Sequence, residues 1–213
     1  MNCDKHMMLL YGVTDRAWVG KQTLYEQVES ALKGGATCIQ LREKELDEEA
    51  FLKEAIEIGE LCRRYSVPFI INDNVEIAVA SKADGIHVGQ SDMKAMDVRK
   101  KNGEHMILGV SAKTVEQALE AEKAGADYLG VGAVFSTSTK LDASVISHDV
   151  LKEICAAVKI PVVAIGGINK ENLMELSGTG VDGVALVSAI FGADDIEEEC
   201  VELCAMSGKM IER

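Results

Sequence analysis

The 213-residue chain has 47% hydrophobic residues, enough apolar surface to close one sizeable core, so a single domain over residues 1–213 is expected. Its 22 Lys and Arg against 35 Asp and Glu give a formal net charge of -13, which repels a phosphate backbone and argues against nucleic acid, while a few converging cations remain able to hold a small phosphorylated ligand. The opening MNCDKHMMLL lacks the apolar core of a signal peptide, no apolar run reaches the roughly 18 residues of a membrane span, and the six cysteines form no CxxC pair; a cytoplasmic protein with reduced thiols and no membrane partner is expected.

Short apolar runs predict strands over 8–14, 38–43, 68–72, 85–89, 107–111, 128–134, 161–167 and 184–190, with amphipathic stretches between them. The first run leads into VTDRAW rather than the glycine-rich fingerprint of a dinucleotide-binding open sheet. Gly34 ends the first helical stretch, and Asp47 is placed to cap a second from Glu48, on which Phe51, Leu52, Ala55, Ile58 and Cys62 share one face. Further on, Thr114 and Gln117 form a capping-box pattern and Gly125 is a stop signal. Cys200 and Cys204 lie four apart on the last helical stretch, with no second ligand pair, and read as core packing.

The strands are almost wholly apolar, as in a parallel sheet covered by helices on one face and filled by side chains on the other. A weak repeat, Ala36-Thr37, Ala83-Asp84, Ala126-Asp127 and Val181-Asp182, precedes every even-numbered strand. Eight strands, alternating helices and a quarter-barrel period predict an α/β fold of the single (β/α)₈ TIM-barrel type, whose chemistry sits at the carboxyl ends of the strands.

Those ends are rich in polar residues. After strand two, Gln40, Arg42 and Lys44 fall on one face by the period of two, although taken alone the stretch reads as a solvated edge where Arg42 and Lys44 pair with Glu43 and Glu45. Strand three ends in Asn72-Asp73 and strand four runs into Gln90-Ser91-Asp92. Two carboxylates opposite two cations suit Mg²⁺ bridged to a polyanion, whereas either Asp alone could cap the helix that follows. Strand six continues into Ser136-Thr137-Ser138-Thr139-Lys140, without P-loop spacing, and Gly166-Gly167 and Val187-Ser188 follow strands seven and eight, where barrels of this class bind a monophosphate. No His has the Ser, Cys or Asp partner of a nucleophilic triad, so His87 is read as structural.

The blocks Tyr11–Asp15, Gln40–Lys44, Ile71–Asp73, Asp84–Asp92, Gly109–Ser111, Gly132–Lys140 and Ala164–Ile168, in this order across nearly the whole chain, resemble the thiamine-phosphate synthase family, also called thiamine-phosphate pyrophosphorylases. The resemblance implies a transferase that condenses a pyrimidine diphosphate, 4-amino-2-methyl-5-(diphosphooxymethyl)pyrimidine, with a thiazole phosphate, releasing pyrophosphate. It implies Mg²⁺ as cofactor on Asp73 and Asp92. It assigns the pyrimidine diphosphate to Gln40, Leu41, Arg42, Glu43, Lys44, Asn72, Ser111 and Lys140, with Arg42, Lys44, Lys140 and Ser111 in the catalytic role. Thr137, Ser138, Thr139, Gly167, Val187 and Ser188 would hold the thiazole phosphate. The family pattern usually has Pro where Ser136 stands and often where Ala133 stands. The related thiazole tautomerases typically carry His at the place of Ala133 and lack the ending in Lys140, so these two positions favour the synthase.

The implied reaction explains why no base stands out. If pyrophosphate departs first, the pyrimidine methylene becomes a stabilised cation, the thiazole nitrogen attacks with its own lone pair, and catalysis reduces to charge stabilisation and alignment. Rival expectations are a sugar-phosphate epimerase using His87 with an aspartate, and an inactive barrel that senses a thiamine precursor. A homodimer is compatible with all of these.

Overall fold

The computed structural model describes residues 3–20, 22–89, 98–99, 106–137 and 144–212. Eight parallel strands, β1 (Leu10–Val13), β2 (Cys38–Leu41), β3 (Phe69–Asn72), β4 (Gly85–Val88), β5 (Ile107–Ala112), β6 (Tyr128–Gly132), β7 (Val162–Ile165) and β8 (Gly183–Leu186), follow one another around a closed barrel, with β8 pairing back to β1. The helices described are α1 (Leu24–Lys33), α2 (Glu48–Arg64), α3 (Val75–Ala80), α4 (Val115–Lys123), α5 (His148–Ala157), α6 (Ser188–Phe191) and α7 (Ile196–Ile211). None of the described helices is long and apolar enough to cross a membrane.

Alternation along the strands divides the apolar residues into two cores. Tyr11, Val13, Cys38, Ile70, Ile107, Tyr128, Val163 and Ala185 fill the barrel, and Met8 joins them from the 3₁₀ turn Lys5–Met8. Leu10, Ile39, Leu41, Phe69, Ile71, Leu129 and Val131 point outward into the layer beneath the helices. Each fully buried aliphatic side chain of this layer contributes about 1.5–3 kcal/mol. The start of α2 is fixed by Asp47, whose carboxylate accepts the Ala50 N–H at 2.9 Å, and Phe51, Ala55, Ile58 and Cys62 are buried along its inner face. Helices α1 and α7 approach so closely at Gly34 that a Cβ there would lie 2.5 Å from the Cys200 Cβ. Cys200 is accordingly a packing residue, and both it and Cys204 are free thiols.

The quarter repeat has a physical basis at the amino-terminal rim. Thr37 Oγ1 accepts the Leu10 N–H at 2.9 Å, and carboxylate oxygens of Asp84, Asp127 and Asp182 accept the N–H groups of Phe69, Leu108 and Val162 at 2.9, 2.8 and 3.0 Å. The backbone N–H of each of these residues donates in return to the carbonyl of the same partner, at 2.8, 2.9, 2.7 and 2.8 Å. The residue before each even strand thus pins the first or second residue of the preceding odd strand through two hydrogen bonds.

The runs expected over 8–14, 38–43, 128–134, 161–167 and 184–190 all extend past their strands, and two of these corrections bear on the site. The strand expected over 38–43 ends at Leu41, so Arg42 and Lys44 leave on a loop rather than continuing the alternation of Gln40. The run expected over 184–190 stops at Leu186, and Ser188–Phe191 form a helical turn. Ile190 and Phe191 are buried in that turn, and a short buried helix has the same apolar composition as a buried strand.

Candidate active site

At the carboxyl end of β2, Gln40 points into the barrel and donates from Nε2 to the Tyr11 hydroxyl at 2.8 Å. Leu41 faces the helices and is fully buried, so any contact with a ligand falls to its main chain. The loop that follows is organised by Glu43. Its Oε1 accepts the N–H groups of Lys44 and Glu45 at 2.7 Å each, and its Oε2 takes the Arg16 Nε at 2.7 Å. Arg16 also reaches both oxygens of Glu54 on α2 at 2.8 Å. Burial alone would raise the Glu43 pKa, but the N–H of Glu45 and the Arg16 guanidinium outweigh it and hold the carboxyl below its usual range. The Glu43 side chain is committed to the loop, which leaves only its main chain to meet any ligand.

With the loop held in this way, Arg42 and Lys44 project from it towards neighbouring strands. The alternative pairing with Glu43 and Glu45 does not form for either cation. Arg42 bonds to Asp15 at 2.9 Å and its N–H donates to the buried Thr14 hydroxyl at 3.0 Å, while Lys44 Nζ meets Asp73 at 2.6 Å. Both ion pairs are partly open to solvent, so they add little to stability and can exchange partners when an anion arrives. The carboxyl ends of β1, β2 and β3 therefore meet at one place, with Arg42 and Lys44 between Asp15 and Asp73.

Asp73 itself has φ 62°, a left-handed conformation that costs a non-glycine residue on the order of 1 kcal/mol. It does not cap α3. That role belongs to Asn74, whose side chain accepts the Ile77 N–H at 3.0 Å. The Asp73 N–H is tied to the His87 carbonyl at 2.9 Å, and its carboxylate accepts from Asn72 Nδ2 at 2.7 Å as well as from Lys44. The structure thus spends backbone strain to aim a carboxylate at the rim, and supplies there the hard oxygen donor that Mg²⁺ takes.

Beneath the rim, polar side chains cross the apolar interior. From Gln40 and Tyr11 the chain continues to Tyr128 at 2.7 Å between hydroxyls, from Tyr128 to His87 Nδ1 at 2.9 Å, and from His87 Nε2 to the Ser111 hydroxyl at 2.9 Å. Burial drives the His87 pKa down from 6.5 to about 4, although Asp73 pulls the other way, so the imidazole is neutral at pH 7. Among the described residues both His87 ring nitrogens are engaged by hydroxyl groups, and no carboxylate is hydrogen-bonded to the ring.

The opposite side of the mouth is formed by β6, β7 and β8. After β6 the chain runs beside the β7 loop, with Val134 N–H donating to Ile165 and Phe135 N–H to Gly166, each at 3.0 Å. Gly166 (φ 101°) and Gly167 (φ 66°) are required by the chain itself: a Cβ would lie 2.5 Å from the Ala133 Cβ or 2.9 Å from the Phe135 Cβ. Thr137 lies in the loop that follows β6, and beyond the end of β8 Val187 precedes α6, which begins at Ser188. Asp92, Ser138, Thr139 and Lys140 lie outside the described residues.

The thiamine monophosphate synthase family model matches residues 10–190. A thiamine-phosphate synthase of Ruminiclostridium cellulolyticum is 52% identical over 194 residues, 91% of this chain and 92% of its own length. That of Clostridium acetobutylicum is 49% identical over 190 residues, covering 89% and 90%. Among solved structures, a thiamine phosphate pyrophosphorylase from Pyrococcus furiosus superposes with a TM-score of 0.90 at 41% identity, over 97% of this chain and 98% of that one. The chain belongs to the thiamine monophosphate synthase family. It is a transferase of thiamine biosynthesis, built as a TIM barrel.

Sequence reasoning left several residues of this family member without a role. Tyr11 through Asp15 stood out as a block, but not Asp15 as the partner of Arg42, Thr14 as the acceptor for its N–H, or Arg16 as the tie to Glu43. The polar residues inside the strands, Tyr11, His87 and Tyr128, gave one signal that was available: each lies on the inward-facing period of its strand, as Gln40 does, among mostly apolar neighbours.

Proposed function

We propose that this family member condenses 4-amino-2-methyl-5-(diphosphooxymethyl)pyrimidine with a thiazole phosphate, with Mg²⁺ as cofactor, releasing pyrophosphate. The observation that carries the reading is the convergence of Arg42, Lys44, Asn72 and Asp73 at one strand-end rim, where Lys44 and Asp73 lie 2.6 Å apart. Asp73 with Asp92 would hold the Mg²⁺, which when bound would neutralise charge on the diphosphate. Lys44, released from Asp73, and Arg42, released from Asp15, would contact the diphosphate oxygens together with Asn72, Ser111 and Lys140. Gln40 and the main chain at Leu41 and Glu43 would line the pyrimidine side of the pocket. Thr137, Ser138, Thr139 and the main chain of Gly167, Val187 and Ser188 would hold the thiazole phosphate on the far side of the mouth.

Charge develops on the leaving oxygens as the carbon–oxygen bond breaks, so cations fixed at the rim before reaction stabilise the transition state more than the ground state. The electron pair of that bond leaves with pyrophosphate. The thiazole nitrogen then bonds to the methylene carbon with its own lone pair, and no residue has to remove a proton. Holding the two rings in line supplies the remainder. Incubation of the purified protein with both substrates and Mg²⁺ is expected to yield thiamine phosphate and pyrophosphate in equal amounts, and to yield none when chelator is added. Absence of thiamine phosphate under these conditions would refute the reading.

A further inference from the structure

We infer that Tyr11, Tyr128 and His87 are positioning residues that set the direction of the Ser111 hydroxyl, so that it presents its hydrogen to the bound diphosphate. The inference rests on the proposed binding of a diphosphate by Ser111. It begins at the donor end: the Gln40 amide nitrogen can only donate, and it donates to the Tyr11 oxygen at 2.8 Å. Tyr11, its oxygen taken in this way, has one hydrogen to place; the Tyr128 oxygen 2.7 Å away is a stronger acceptor than the neighbouring Cys38 sulfur, so the hydrogen goes to Tyr128. Tyr128 in turn gives its hydrogen to His87 Nδ1 at 2.9 Å, which leaves the ring proton on Nε2. His87 Nε2–H then donates to Ser111 Oγ at 2.9 Å. A hydroxyl that accepts from the ring directs its hydrogen away from it, and at the mouth of the barrel a donor suits an anion.

The barrel is shaped around this line. Gly109 faces His87 on one side and Tyr128 on the other in the strand register, and a Cβ at Gly109 would lie 2.5 Å from His87 Nδ1. A Cβ at Gly130, which is paired with Ser111, would lie 2.9 Å from His87 Cε1. Two inward positions therefore lack side chains where the imidazole and the phenol need room. Around the line lie Val13, Ile70, Ile107, Val163 and Ala185, which offer no hydrogen bonds, and the Cys38 thiol, which offers a weak one, so each polar group depends mainly on its neighbours in the line for satisfaction. If the Gln40 amide were turned over, every bond would reverse: Tyr11 would donate to Gln40, His87 would carry its proton on Nδ1, and Ser111 would spend its hydrogen on the ring.

The two directions differ at one observable atom. In histidine-labelled wild-type protein at pH 7, with the His87 resonance identified by its loss in His87→Gln, ¹⁵N NMR is expected to find Nε2 protonated and Nδ1 bare. A proton on Nδ1 would overturn the inference, and this measurement needs no turnover. Tyr128→Phe removes the hydrogen that fixes the tautomer; it is expected to raise the Nδ1–H population and to lower kcat about tenfold, with KM for the thiazole phosphate unchanged. Tyr11→Phe should act in the same sense and less strongly. In a Ser111→Ala background Tyr128→Phe should have no further effect on kcat, because its influence passes through the missing hydroxyl. Full kcat in Tyr128→Phe, or a loss that persists undiminished without Ser111, would overturn the positioning role. Wild-type protein that makes no thiamine phosphate would refute the functional reading instead, while the tautomer would still decide the direction of the line.

Discussion

At the amino-terminal rim, Thr37, Asp84, Asp127 and Asp182 repeat one clamp around the barrel, whereas at the carboxyl rim each strand ends in a different set of groups. Each clamp satisfies an N–H at the start of a strand with a side chain already fixed by its own backbone bond, so the lower rim is closed and internally paired. The upper rim holds half-open pairs, Arg42 with Asp15 and Lys44 with Asp73, and a carboxylate in a left-handed conformation. A rim that only has to hold strands together can use one solution repeatedly. On the proposed function the upper rim grips two different substrates, which calls for different groups at its strand ends and for strain and partly exposed charge to present them.

Exchanging stability for function at the two rims is the way to break this comparison. The largest effect is expected for Arg42→Ala, which should lower kcat by about 10² to 10³, while its partly exposed ion pair costs at most about 1 kcal/mol of stability; kinetics alongside thermal melting checks both halves. Next comes acid. The His87 pKa is about 4 in the folded protein and 6.5 ordinarily, so between these values the unfolded chain binds the additional proton and stability falls as pH falls. Over that interval the loss attributable to His87 should reach about 3 kcal/mol, read as a shallower pH dependence of the urea midpoint in His87→Gln. Asp84→Ala should show the opposite signature to Arg42→Ala: about 1–3 kcal/mol lost in urea unfolding, because the Phe69 N–H loses its partner, with unchanged kcat/KM at a temperature where the variant is folded. The smallest is Asp73→Asn, which keeps a residue suited to the left-handed backbone and should raise the Mg²⁺ concentration for half-maximal rate about tenfold with little change in melting.

Legibility in the sequence follows the same division. The lower rim is readable because its groups recur at a fixed place before each even strand, as Ala-Thr, Ala-Asp, Ala-Asp and Val-Asp. Helix starts at Asp47 and Thr114 were readable for a related reason, since a cap lies within three residues of the N–H it satisfies. The upper rim offered residue types at strand ends but not their partners. Lys44 and Asp73 are 29 residues apart and Arg42 and Asp15 are 27 apart, separations that only barrel closure brings together. Glu43 illustrates the limit: its neighbours along the chain suggested pairing with the adjacent cations, and the fold instead turned it inward to hold the loop and Arg16. The end of β8 was misplaced because Ile190 and Phe191 are buried whether the backbone is extended or helical.

The central claim, that the upper rim is a grip for a departing pyrophosphate, is tested most directly by a crystal structure with Mg²⁺, pyrophosphate and thiamine phosphate bound. The account predicts that Lys44 leaves Asp73 and, with Arg42, lies within about 3 Å of pyrophosphate oxygens, while Asp73 coordinates the metal. Pyrophosphate bound away from this rim, with the Lys44–Asp73 pair intact, would contradict it.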